Sequence, residues 1–234
     1  MIAAFVLAAA TSTATLPDDF VYLRDVAPAI VQDIRYAGPY NFTGAPVPGY
    51  EAPECILTAK AAQALKAVDA ELAVQGLGLI VWDCYRPAMA VAAFMTWTRS
   101  GPDTMKPVFY PNEERSELVA RDYIAEKSGH SGGSVVDVGL APRDYVPPPR
   151  GEPAACTGPQ NDGLPDMGTA YDCFDPLSGL TAEVNAEASA NRALLRGLME
   201  RHGFAPYQAE WWHFRLVDQP YDGVIFEAPI VARP

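Results

Sequence analysis

One stretch constrains the fold more than any other: Ser128-Gly-His-Ser-Gly-Gly-Ser-Val-Val-Asp-Val-Gly-Leu140. Its second half reads as a β-strand. Alternation there puts Val135, Asp137 and Gly139 on one face and Val136, Val138 and Leu140 on the other. The apolar face belongs against a core, so Asp137 looks into a cavity on the opposite side. A carboxylate buried without a partner is costly, and the Gly-Gly turn before the strand brings His130 near it.

The rest of the chain reads as a single α+β domain, a small and mainly antiparallel sheet with helices packed on one side. Residues 20–26 and 30–36 alternate enough to be short strands. Residues 38–49, dense in Gly, Pro and Asn, read as an irregular loop. A helix is expected over 57–75, with Leu57, Ala61, Ala64, Leu65, Val68 and Leu72 on one face and Gly76 as its stop. Residues 77–82 are a compact apolar run, the mark of a buried central strand. That strand hands over at Asp83 and Arg86 to a helix over 88–99 opened by Pro87. Residues 101–111 read as a further loop, and Asn112 is placed to cap a helix reaching about residue 127. Residues 141–165, rich in Pro and Gly, read as an excursion loop rather than a domain linker. The last long helix is expected from Thr181 to about His202. A strand over 211–217 and a tail of weak strand character follow.

A second motif, Glu210-Trp-Trp-His213, lies far along the chain. With His130 it takes up two of only three histidines. Two imidazoles and a carboxylate, from His130, Asp137 and His213, suit a zinc ion with one position left open for water. Such an ion keeps a net positive charge, which acidifies water and polarises a carbonyl. Glu210 is then a carboxylate beside that water, able to act as general base and acid. On a regular strand Glu210 and His213 would face opposite ways, so both can reach the metal only if a turn or bulge lies at Glu210. Each piece alone also has a plain structural reading, such as a surface histidine or an edge strand. Taken together, a buried aspartate and two of three histidines share one explanation. Arg86 can donate to a developing oxyanion, oriented by Asp83; a structural salt bridge explains that spacing equally well. His202, at a basic helix end, stays outside the site.

The formal charge of −12 argues against nucleic acid and anionic membrane surfaces as partners, since both need a basic footprint. The first ten residues are apolar but too short to span a bilayer. Residues 1–14 read as a secretory signal with a small-residue cleavage site, although no basic residue precedes the apolar run. No other segment approaches membrane-spanning length, so no membrane insertion of the mature chain is expected. The expectation is an exported, periplasmic or extracellular protein with residues 15–234 as the mature domain; a packed N-terminus in a cytoplasmic protein is the alternative. Four cysteines with no CxxC pair argue against a structural zinc knuckle. In an exported chain they are expected to pair, Cys55 with Cys84 and Cys156 with Cys173; in a cytoplasmic one they would be buried thiols. Nothing in the sequence sets an oligomeric state.

As a set, Asp83-Cys-Tyr-Arg86-Pro, Ser128-Gly-His130-Ser-Gly-Gly-Ser-Val-Val-Asp137 and Glu210-Trp-Trp-His213 resemble the motifs of the zinc D-alanyl-D-alanine dipeptidases, peptidase family M15. The Asn-Phe-Thr-Gly at 41–44 and Met167-Gly-Thr-Ala-Tyr-Asp172 are weaker echoes, and the similarity runs from about residue 18 to 229. The resemblance implies one zinc ion in a central cleft on His130, Asp137 and His213, with Glu210 as base and acid and Arg86 stabilising the tetrahedral intermediate. It further implies that Asp172, helped by Tyr36, receives a substrate ammonium and that Ser128 contacts the carboxylate end. The implied substrate is a small dipeptide, D-alanyl-D-alanine or a close relative. A longer peptide would leave Asp172 buried and unpaired. A peptidoglycan D,D-carboxypeptidase or L,D-endopeptidase with the same metal set, or a zinc-stabilised binding domain, are the alternatives. This chain departs from the family pattern in its long, Cys156-bearing loop at 141–165 and in the glycines, Gly129 and Gly132, beside His130.

Overall fold

The computed structural model describes residues 12–13, 15–149, 155–158, 160 and 162–233. The expected signal at 1–14 lies outside these apart from residues 12 and 13. Along the chain come β1 (Ser12–Thr13), β2 (Phe20–Tyr22), the one-turn α1 (Leu23–Val26) and β3 (Val31–Gln32). Next are β4 (Ile56–Thr58), α2 (Ala59–Ala73), β5 (Leu77–Asp83), α3 (Ala88–Ser100) and a short α4 (Lys106–Phe109). The chain continues through β6 (Val135–Pro142), α5 (Ala186–Arg201), β7 (Phe204–Tyr207), β8 (Glu210–Leu216) and β9 (Ile225–Phe226).

The main sheet has five strands in the order β3-β5-β6-β8-β7. Its pairs are antiparallel except β3 with β5. Helix α2 packs on β5, α5 packs on β7, and the two helices touch. With helices on one side and aromatic loops on the other, β6 is buried from residue 135 to 141. Gly139 is needed there, because a Cβ would stand 2.4 Å from the ring of Trp82. Helix α2 buries Ala61, Leu65, Val68 and Leu72 on its sheet-facing stripe, the amphipathic pattern that drives helix docking. Loop 38–49 wraps around Phe42, whose ring meets Phe94, Trp97 and Phe174. Asn41 ties that loop by donating to the carbonyls of Gly38 and Ala45 at 2.7 and 2.9 Å. Disulfides join Cys55 to Cys84 and Cys156 to Cys173. Among the described residues, no helix is long and apolar enough to cross a membrane.

Several expected elements fold differently. The helix expected from residue 57 starts at Ala59, because Thr58 caps it by accepting from the Ala61 amide and Leu57 pairs with Val21 in β4. No helix runs from Asn112; residues 112–127 hold one 3₁₀ turn, Arg115–Glu117. Asn112 donates to Asp175 instead of capping, Glu113 turns inward to Arg121, and Asp122 takes a φ of 61° that no right-handed helix allows. Helix α5 opens at Ala186 rather than near Thr181, since it is Asn185 that accepts from the Ala188 amide. Residues 30–36 form only β3 and a 3₁₀ turn, Arg35–Ala37. Residues 20–26 give β2 and α1 rather than one strand, and α4 interrupts the loop at 101–111.

Candidate active site

Three neighbouring strands bring the polar motifs together. Asp137 on β6 pairs directly with His213 on β8. On its other side Asp137 faces Asp83 of β5, after an irregularity between Val81 and Asp83. His130 sits in the 3₁₀ turn Gly129–Gly132 just before β6, where the Ser128 hydroxyl accepts from the His130 amide. Gly132 fits because a Cβ there would meet the Tyr221 carbonyl at 2.8 Å.

His130 Nδ1 lies 2.7 Å from the Cys84 carbonyl oxygen. A carbonyl can only accept, so Nδ1 carries a proton, and in the neutral ring the lone pair is then on Nε2. That Nε2 is 3.4 Å from Asp137 Oδ1 and 3.4 Å from His213 Nδ1. His213 Nδ1 is 3.2 Å from Asp137 Oδ1. The three donor atoms lie within 4.8 Å of one another, and Asp137 Oδ1 is buried with no hydrogen-bond partner. A cation among them would satisfy that oxygen and both imidazoles, so the residues present fit a metal ion. Burial opposes ionisation of Asp137, but the facing His130 and His213 outweigh it and hold the carboxyl well below the usual range. Burial pushes the His213 imidazole down, which favours its neutral, ligating form.

Glu210 reaches this cluster through a register shift. Strands β7 and β8 pair regularly from Phe204–Leu216 to Pro206–Phe214, and then Tyr207 pairs with Glu210. Three residues of β8, 211–213, are thereby accommodated without partners on β7, the irregularity that the Glu210–His213 spacing requires. Glu210 Oε2 lies 3.5 Å from His213 Nδ1. Burial, followed by the charges of Asp137 and Asp172, pushes the Glu210 carboxyl well above its ordinary range. Such a group holds its proton to higher pH than an exposed glutamate does.

Arg86 completes one wall. Its Nε and Nη2 lie 2.9 and 2.8 Å from Asp83 Oδ2, and Tyr50 donates to Asp83 Oδ1 at 2.6 Å. The same Nη2 is 3.8 Å from Asp137 Oδ2, and Nη1 is 3.5 Å from Ser128 Oγ. The salt bridge and the site position are therefore one arrangement: Asp83 holds the guanidinium against the cluster. Burial opposes the Arg86 charge, but Asp83 and its other neighbours more than compensate.

Asp172 and Tyr36 face the cluster from the loops. The Tyr36 hydroxyl donates to Asp172, 2.9 Å from Oδ2. Asp172 holds a φ of 60°, an uncommon left-handed backbone for a residue other than glycine. Burial and then the nearby Asp137 charge push its carboxyl up to about 8. Sequence reasoning assigned no role to Tyr171, yet its Oη lies 3.1 Å from Asp137 Oδ2 and 3.2 Å from Tyr36 Oη. The ring stacks on Trp82 at 4.9 Å. The Cys84 carbonyl and Tyr50 were likewise missed. The one available signal was adjacency, since Cys84 and Tyr171 each stand next to a motif residue.

Two imidazoles and a carboxylate arranged for a metal, beside a buried carboxylic acid and a fixed guanidinium, form the layout of a hydrolase. The family profile described as peptidase M15, D-ala-D-ala dipeptidase, matches residues 17–148 and 157–231. The chain belongs to this peptidase family. It is 39% identical over 214 residues to a D-alanyl-D-alanine dipeptidase of Enterococcus faecalis, covering 90% of this chain and 98% of that protein. It is 36% identical to one of Enterococcus faecium, with coverages of 90% and 98%. A third, from Streptomyces coelicolor, is 37% identical with coverages of 91% and 98%.

Proposed function

We propose that this chain is a zinc-dependent dipeptidase that hydrolyses D-alanyl-D-alanine or a similar D-amino-acid dipeptide. The observation that carries the reading is the convergence of His130, Asp137 and His213 with Glu210 at their edge. Those three side chains would hold the ion. Zinc, when bound, supplies a Lewis acid that polarises the scissile carbonyl and acidifies water. Glu210 takes a proton from the attacking water and returns it to the leaving amine. Arg86, held by Asp83, donates to the oxyanion that develops on the carbonyl. Asp172 and Tyr36 receive the substrate ammonium, and Ser128 serves the carboxylate end. Two recognised termini set a dipeptide length, because an N-terminally extended peptide would leave Asp172 without its cation.

Export belongs to the same proposal. Its support is the apolar run at 1–10 and the two disulfides, which persist in oxidising compartments. Mass measurement of the mature protein recovered from outside the cytoplasm tests it, and a full-length cytoplasmic chain with reduced cysteines would refute it.

The enzymatic reading is tested by incubating purified protein with D-alanyl-D-alanine and with a tripeptide ending in D-alanine, with chelator and with zinc restored. Zinc-dependent turnover of the dipeptide alone is expected. Cleavage of the tripeptide instead would place the chain among the carboxypeptidases or endopeptidases. Tight zinc binding without turnover of either would leave a binding domain.

A further inference from the structure

A cavity of about 290 Å³ lies outside the cluster described above. Its walls include five aromatic residues, Tyr40, Trp82, Phe109, Tyr171 and Trp211, among aliphatic and polar ones. Arg35 also lines it, with only 9% of its surface exposed. The Arg35 Nε is paired with Asp33 at 2.7 Å, and the guanidinium lies over the rings of Tyr40 and Tyr171 at 5.6 and 5.9 Å. Its two terminal nitrogens have no hydrogen-bond acceptor among the described residues. Trp82 also buries its indole N–H without an acceptor. A buried donor left unpaired costs stability, and the Trp82 N–H lies in the wall of the same space as the Arg35 guanidinium. Asp162 and Asp166, also in the wall, are engaged elsewhere: Asp166 accepts from Gly168 and Asn185, and Asp162 accepts from Leu164.

The geometry points to a second ligand site, one that takes a small carboxylate with an apolar, preferably aromatic, body. The carboxylate would accept from the free edge of Arg35, the fork geometry that guanidinium offers to planar oxyanions. The body would lie among the rings, in a volume suited to one amino-acid-sized molecule. Tyr171 lines this space, and its hydroxyl reaches Asp137 at 3.1 Å, so the ligand lies one ring away from the cluster without entering it. This inference does not depend on the proposed dipeptidase activity.

Calorimetric titration of the full, metal-stripped chain tests it. The probes are phenylacetate and benzyl alcohol, its neutral counterpart. Saturable binding of phenylacetate is expected, tighter than the alcohol by roughly tenfold or more. Arg35→Met should remove that margin. Ala170→Leu, which narrows the cavity from another wall and keeps the Arg35–Asp33 pair, should weaken both probes. Equal affinity for the two probes, binding of neither, or wild-type binding in both variants would overturn the site. Phenylacetate that binds only after zinc is restored would be sitting on the metal, and that outcome overturns it too.

Discussion

Glu210 Oε2 and His213 Nδ1 lie 3.5 Å apart, although their separation by three residues would set them on opposite faces of a regular strand. The shift from the Pro206–Phe214 pair to the Tyr207–Glu210 pair turns both inward. A strand that would otherwise turn them to opposite faces thereby brings an imidazole and a carboxylate to the same point.

Replacing Glu210 by glutamine keeps the shape and removes the exchangeable proton. The Glu210→Gln variant should bind zinc as the wild type does and lose about 10²- to 10⁴-fold in kcat on D-alanyl-D-alanine. Metal content measured beside kcat separates this from loss of the ion. A kcat near wild type would remove Glu210 from proton transfer.

Arg86 grips Asp83 Oδ2 through two nitrogens at 2.9 and 2.8 Å. Lysine would keep the charge but cannot reproduce that fork. The expected cost of Arg86→Lys is about 10²- to 10³-fold in kcat/KM, larger than any change in thermal stability would explain. If the midpoint of unfolding falls while kcat/KM is retained, the Asp83–Arg86 pair is only structural.

The pH dependence of stability follows from Asp172. Burial and the neighbouring Asp137 raise its carboxyl to about 8, against about 3.9 in an unfolded chain. Between those values the folded protein holds a proton that the unfolded chain has released, so raising the pH favours unfolding. The Asp172 contribution to the stability of the metal-free protein should fall from about pH 4 to about pH 8, by up to about 1.4 kcal/mol per pH unit, beside a contribution of the same sign from Glu210. Asp172→Asn should flatten this slope in urea titrations across the range. In the zinc-loaded protein the same variant should lose roughly a hundredfold in kcat/KM as the substrate ammonium loses its partner. An unchanged slope would assign the proton to another group.

The parts of the site that could be read in advance are those where local pattern and tertiary role agree. Alternation in β6 is enough to turn Asp137 away from the apolar face, and a buried carboxylate on that face needs partners. The spacing of Glu210 and His213 gave the bulge as a condition, because the strand period admits no other solution. Asn112 shows the opposite case. Its side chain is a good cap, but Asp175, 63 positions away, takes its amide at 2.8 Å, and the helix it would start does not form. The start of α5 was misplaced for a similar reason: Thr181 and Asn185 are both competent caps, and only the packing of the helix on β7 chooses between them. Tyr171 lies in a segment without periodicity, so its contact with Asp137 had no local signature.

That contact makes Tyr171 the most informative position for a conservative change. Asp137 Oδ1 is turned to the two imidazoles, while Oδ2 has the Tyr171 hydroxyl at 3.1 Å and only the more distant Arg86 at 3.8 Å. A hydrogen bond to the outer oxygen of a ligating carboxylate orients it toward the metal, and loss of such a partner typically weakens metal binding by 10- to 100-fold. Tyr171→Phe keeps the ring on Trp82 and removes only the hydroxyl. Competitive titration with a calibrated chelator should show zinc affinity reduced by about that factor. Turnover at saturating zinc should fall much less, because Glu210 and Arg86 are untouched. An unchanged affinity would mean that the strand pairing of Asp137 with His213 already orients the carboxylate without help from the loop.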